Sequence, residues 1–101
     1  MKRVLVECHD LFFRGKLQET VRGAGAEPVR DEPFDMAVIE LGTPNAEMRI
    51  RELVQRRVAV LAFGSHVAAV ALRAARDLGA RAVPNSEVER ALRHALGSPA
   101  R

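Results

Sequence analysis

The sequence predicts an α/β domain, a three-layer sandwich in which a mostly parallel sheet lies between helices. Three observations predict it. Short apolar runs suited to strands buried on both faces recur along the chain, as in "RVLVE", "DMAVIEL" and "VAVLAF". Between them lie segments whose apolar residues return every three or four positions, the period of a helix. Strand and helix patterns alternate almost throughout, which argues for an open parallel sheet covered on both faces.

"RVLVE" is the first strand, and Asp10 then stands as N-cap to a helix carrying Phe13, Leu17 and Val21, stopped by "RGAG". Phe12 and Phe13 cannot both face the core of that helix, so one is a candidate for a partner surface or for covering a gap. "AEPVR" (residues 26–30) is a weaker second strand, and Pro28 suits an edge position, where a missing N–H does no harm. "DMAVIEL" is the third strand. In "GTPNAE" either Thr43 or Asn45 caps the next helix, whose apolar face is marked by Ile50, Leu53, Val54 and Arg57. "VAVLAF" is the fourth strand, and "GSH" leads into the Ala-rich helix "VAAVALRAARDLG", ended by Gly79. "ARAV" is short enough for an edge strand. After Pro84, "SEVE" has the form of a capping box, and Val88, Ala91, Leu92, Ala95 and Leu96 give the last helix its apolar face. Residues 1–97 are expected to form one domain, and 98–101 a disordered tail.

One place breaks the alternation. Between Val29 and Met36 lie only the six residues "RDEPFD", whereas a parallel crossover with its helix needs at least about 10 to 12. A second helix is missing. At roughly 3.3 Å per residue the link can still pass one strand. Part of one sheet face would then be bare, and a symmetric homodimer would cover it.

Composition narrows the function. Among 101 residues 48% are hydrophobic and 29% charged, and no apolar run approaches the roughly 18 residues of a membrane span. The start "MKRVLVECHD" has too short an apolar run for a secretory signal, and the single Cys cannot form an internal disulfide, so the cytoplasm is the expected location. A net charge of +3 invites a nucleic-acid reading. The cations are interleaved with acids, as in "EMRIRELVQRR", and there is no Trp or Tyr to stack bases, which argues against it.

In such sheets, binding and catalytic residues gather where strands end. Here those ends carry Cys8, His9 and Asp10 after strand one, Glu40 to Thr43 after strand three, Gly64, Ser65 and His66 after strand four, and Asn85 and Ser86 after strand five.

With these pieces in this order, nearly the whole chain resembles a response-regulator receiver domain, the flavodoxin-like fold of bacterial two-component signalling. The resemblance rests on "KRVLVECHDLFFRGKLQETVRGAG", "FDMAVIELGTPNAE" and "VAVLAFGSHV" with "ALRAARDLGARAV". It implies strand order 2-1-3-4-5, or 1-3-4-5 if "AEPVR" does not pair. It also implies a degenerate site. The receiver's two Mg²⁺-holding acids fall on Cys8 and His9, with Asp10 one step further, although a hard cation needs oxygen ligands. Its phosphate-accepting Asp falls on Glu40, its phosphoryl-contacting Thr or Ser on Gly64 beside Ser65, and its Lys has no counterpart around Pro84, Asn85 and Ser86. Glu40 would place one negative charge near where a phosphorylated Asp carries almost two, and a receiver with Glu there would rest in one signalling state. Without the acid pair and the Lys, phosphoryl transfer lacks the charges that stabilise its transition state. The expectation is a pseudo-receiver with no catalytic residues, no metal and no cofactor. It would act through a regulatory protein partner or a second copy of itself.

The competing class is a small metal-binding protein or enzyme that uses Cys8, His9, Glu40 and His66. Cys and His are Zn²⁺ ligands, and Cys8 with a His could act as nucleophile and base. Neighbouring strand residues point to opposite faces, no paired ligand spacing occurs, and no third group orients the pair. The Gly-Ser start of the Ala-rich third helix is a further, weak anion-site candidate.

Overall fold

The computed structural model describes residues 1–97, and the expected tail at 98–101 lies outside the described residues. Five parallel strands form one sheet in the order β2-β1-β3-β4-β5: β1 Arg3–Glu7, β2 Glu27–Val29, β3 Met36–Glu40, β4 Ala59–Gly64 and β5 Arg81–Pro84. The helices are α1 Leu11–Gly23, α2 Ala46–Gln55, α3 Ala69–Asp77 and α4 Val88–Ala95, the last preceded by a 3₁₀ turn at Asn85–Glu87. The predicted order 2-1-3-4-5 is therefore the observed one, and "AEPVR" does pair, at the edge.

Alternation along the strands divides the core in two. Val4, Val6, Val38, Leu61 and Phe63 face α1 and α4, where they meet Leu17, Val21, Val88 and Leu92. Leu5, Ala37, Ile39, Val60 and Ala62 face α2 and α3, where they meet Ile50, Leu53, Leu72 and Ala75. The two phenylalanines separate as one helix face requires. Phe13 turns inward and meets Phe63 edge to face at 5.5 Å between ring centres, while Phe12 is 79% exposed.

Helix ends explain most of the local chain path. Asp10 caps α1, its Oδ1 accepting from the Phe13 N–H at 3.0 Å, a contact worth about 1 kcal/mol. Each of α1, α2 and α3 closes with a Schellman pair of backbone bonds: Ala26 to Val21 and Gly25 to Arg22, Val58 to Leu53 and Arg57 to Val54, Ala80 to Ala75 and Gly79 to Arg76. The left-handed residue is Gly25 in the first and Gly79 in the third, but Arg57 in the second, with φ 65°. Arg57 therefore ends α2 rather than extending its apolar face, which corrects the sequence reading. Two more corrections concern caps. The "SEVE" capping box does not form, because residues 85–87 tighten into the 3₁₀ turn and α4 starts at Val88 without a side-chain cap. At α2 the capping position is Asn45, left-handed with φ 67° and no side-chain cap bond, while the Thr43 hydroxyl donates to the Glu40 carbonyl at 3.2 Å.

The missing helix has a geometric reason. β2 pairs only with Arg3 to Leu5, so Val29 stops level with Leu5, and β3 begins at Met36, level with Val4. The link must therefore climb back by only one residue while crossing β1, about 10 Å sideways at roughly 4.8 Å per strand spacing. Six residues suffice. Asp35 anchors the link, its N–H donating to the Arg3 carbonyl and its carboxylate accepting from the Arg3 N–H, and Glu32 pairs with Arg56 at 2.7 Å. The bare sheet face expected from this gap is not there. Phe34 packs onto the α2 side of the core with the Arg56 guanidinium 6.0 Å from its ring centre, and Leu5 is only 4% exposed.

Candidate functional site

Register places the candidate residues in a row along the carboxyl edge of the sheet. Glu7 stands beside Ile39, Glu40 beside Phe63, and Gly64 beside Pro84. The residues that follow β1 and β5, Cys8 to Asp10 and Asn85 with Ser86, continue that row at either end.

The three residues after β1 each take a different direction. Cys8 turns into the core beside Val6, Leu17 and Phe63, and its thiol donates weakly to the Asp10 carbonyl at 3.5 Å. Burial pushes the thiol pKa up, and the neighbouring Glu40 carboxylate adds to the shift. His9 is exposed, and its backbone N–H donates to the Glu40 carboxylate at 2.8 Å. The Asp10 carboxylate is engaged as the α1 cap. The strand has thus delivered a buried thiol, a backbone donor and a helix cap, with no pair of carboxylates facing Glu40.

Leu41, the residue after Glu40, packs on the α2 and α3 side of the core and approaches Gly64. Its N–H donates to the Phe63 carbonyl at 2.7 Å, and its Cβ lies 3.3 Å from where a side chain on Gly64 would begin. A side chain on Gly64 would crowd Leu41, a contact that sequence reasoning missed. The adjacent Ser65 hydroxyl accepts from the Val67 N–H at 3.3 Å, and His66 is exposed in a turn that ends before α3, so "GSH" does not open the helix. Asn85 and Ser86 are exposed in the 3₁₀ turn. The chain contains two lysines, Lys2 and Lys16, and neither lies after β5; Lys16 pairs with Glu89 at 3.4 Å.

The metal and enzyme readings fare differently from the row of positions itself. Among the described residues no three His, Cys, Asp or Glu side chains gather as a metal site would require. Because the thiolate is the nucleophile and metal ligand, a buried thiol with a raised pKa is poorly placed for either task.

Two features of this edge go beyond the sequence reading, which offered only one of Phe12 and Phe13 as a partner surface. Glu7 and Glu52 hold Arg49 between them at 3.1 and 3.0 Å, linking β1 to α2. The large apolar side chains most exposed, apart from Met1, are Leu11, Phe12, Met48, Val67 and Val70. All lie at the starts of α1, α2 and α3, hence around the carboxyl edge of the sheet rather than over its face. No helix among the described residues is long and apolar enough to cross a membrane.

Comparison with solved structures identifies the fold. The chain is similar to a Francisella response regulator receiver domain, at TM-score 0.79 and 11% identity over 96% of this chain and 94% of that one. It is similar to a CheY-like receiver domain protein from Methanospirillum hungatei, at TM-score 0.75 and 14% identity over 96% and 94%. An orphan response regulator of H. pylori matches at TM-score 0.75 and 13% identity over 94% and 96%. These likenesses show a CheY-like flavodoxin fold running almost the whole length of the chain. No family profile and no curated protein matches it in sequence.

Proposed function

We propose that this chain is a receiver-like signalling or regulatory domain that works without phosphorylation, in the cytoplasm, by contact with another protein. The observation that carries this reading is the engagement of Glu40. At the position of a receiver's phosphate acceptor stands a carboxylate already bonded to the His9 N–H, with Leu41 packed beside it against Gly64. Phosphoryl transfer needs a bound metal and cationic groups to neutralise developing charge. At the corresponding places this chain has a buried thiol, a histidine, and no lysine.

Protein contact is supported by the exposed large apolar side chains at the helix starts, Leu11 and Phe12 on one side of the sheet and Met48, Val67 and Val70 on the other, since exposed apolar surface marks interaction sites. With the sheet face covered by Phe34, a homodimer would rest on these side chains instead. Native mass spectrometry tests the reading. The association state of the chain should be the same with and without Mg²⁺ and acetyl phosphate, and should shift toward monomer in a Leu11→Ser, Phe12→Ser variant if the partner is a second copy. A phosphodonor-dependent change in association contradicts the proposal.

A further inference from the structure

A cavity of about 540 Å³ opens at the end of β1, lined by Cys8 and His9 of the row of candidate residues, by Val29 and Arg30 at the end of β2, and by Thr43 and Pro44 after β3. Its origin is the same short strand that removes the helix. β2 stops level with Leu5, so the last residues of β1 have no strand on that side, and residues 5–9 line the opening. The chain runs from β1 outward to β2 and then back across to β3, so the strand order reverses between β1 and β3, the kind of point where open parallel sheets hold ligands. The volume falls in the roughly 300–1,000 Å³ range of small-molecule sites.

The walls are electrostatically one-sided. Arg14 from α1 and Arg30 from the link both line the cavity, and neither has a carboxylate within ion-pairing distance among the described residues. The one lining carboxylate, Glu7, is held by Arg49 at 3.1 Å. Guanidinium groups present forked donors that match phosphate oxygens. The Gln18 amide and the Thr43 hydroxyl add polar groups suited to hydroxyls, while Val29 and Pro44 give a small apolar contact. The one aromatic ring among the lining residues is the His9 imidazole.

We infer that this cavity binds a small organic phosphate of the sugar-phosphate class, with the phosphate held by Arg14 and Arg30 and the hydroxyls by Gln18 and Thr43. The site does not depend on how Glu40 is read, because the cavity and its arginines lie beside that carboxylate and not on it.

An amide NMR titration with ribose 5-phosphate, inorganic phosphate and ribose, each to millimolar concentration, tests the site. Ribose 5-phosphate is expected to move the amides of residues 7–9, Val29 and Arg30. Inorganic phosphate should move the same amides with at least about tenfold weaker affinity, and ribose should move none. Arg14→Ala and Arg30→Ala should each weaken ribose 5-phosphate binding about tenfold or more, the scale of a lost charge-assisted bond. Arg73→Ala, on α3, should not. All three replaced side chains are half-buried or exposed, and a dispersed spectrum confirms that each variant is folded. The inference is overturned if ribose 5-phosphate leaves those amides unmoved, if inorganic phosphate binds as tightly, or if the Arg73 variant loses as much as the other two.

Discussion

The Glu40 carboxylate accepts the His9 backbone N–H at 2.8 Å, tying the end of β3 to the turn that leaves β1. The bond closes the centre of the sheet edge from within the chain. Because the acceptor is charged and half-buried, Glu40→Ala should lower stability by about 1–2 kcal/mol, while Glu40→Gln, which keeps an acceptor oxygen, should lose less. Urea denaturation midpoints of the two variants check this.

The same carboxylate acts on Cys8. Burial is the larger cause of the raised thiol pKa and Glu40 the next, so Glu40→Gln should bring the thiol down part of the way, to a value still above the ordinary one. The pH profile of alkylation measures it. The sign for stability follows from linkage. A thiol whose folded pKa lies above its ordinary value of 9.0 contributes stability that is present below that value and is lost as pH rises through the folded pKa. Cys8→Ala should flatten that alkaline loss.

Leu41 and Gly64 should be energetically coupled. Gly64→Ser places a Cβ 3.3 Å from the Leu41 Cβ, so it should destabilise by about 1 kcal/mol or more. In a Leu41→Ala background the same change should cost less. A double-mutant cycle that found the two effects additive would show that Leu41 does not fill that place.

Arg57 occupies a left-handed position that glycine holds at the ends of α1 and α3. The left-handed conformation costs an L-residue about 1–2 kcal/mol, and glycine's extra freedom in the unfolded chain offsets part of the gain, so Arg57→Gly should raise stability by up to about 1 kcal/mol. A higher melting temperature is the expected readout.

The strands were legible in the sequence because apolar runs such as "RVLVE" and "VAVLAF" suit burial on both faces, their order came from the resemblance to receiver domains, and Asp10 was legible as a cap because its helical pattern starts at once behind it. The row of edge positions followed from that order. Less was visible where tertiary geometry overrode a local signal. "SEVE" reads as a capping box, yet the chain leaving β5 tightens into a 3₁₀ turn first. Six residues between β2 and β3 read as a gap in the cover, but β2's early stop and Phe34 remove the gap. The approach of Leu41 to Gly64, and the two arginines left facing a cavity, depend on side chains far apart in sequence and left no local pattern. A weak signal for the former existed in Gly64 itself, a glycine at the end of a buried strand where nothing in the backbone calls for one.

The most direct measurement is the intact mass of the chain after incubation with Mg²⁺ and acetyl phosphate. A mass unchanged by a phosphoryl group is the predicted result. A stoichiometric phosphoryl adduct on Glu40 or Asp10 would contradict a domain that signals without phosphorylation.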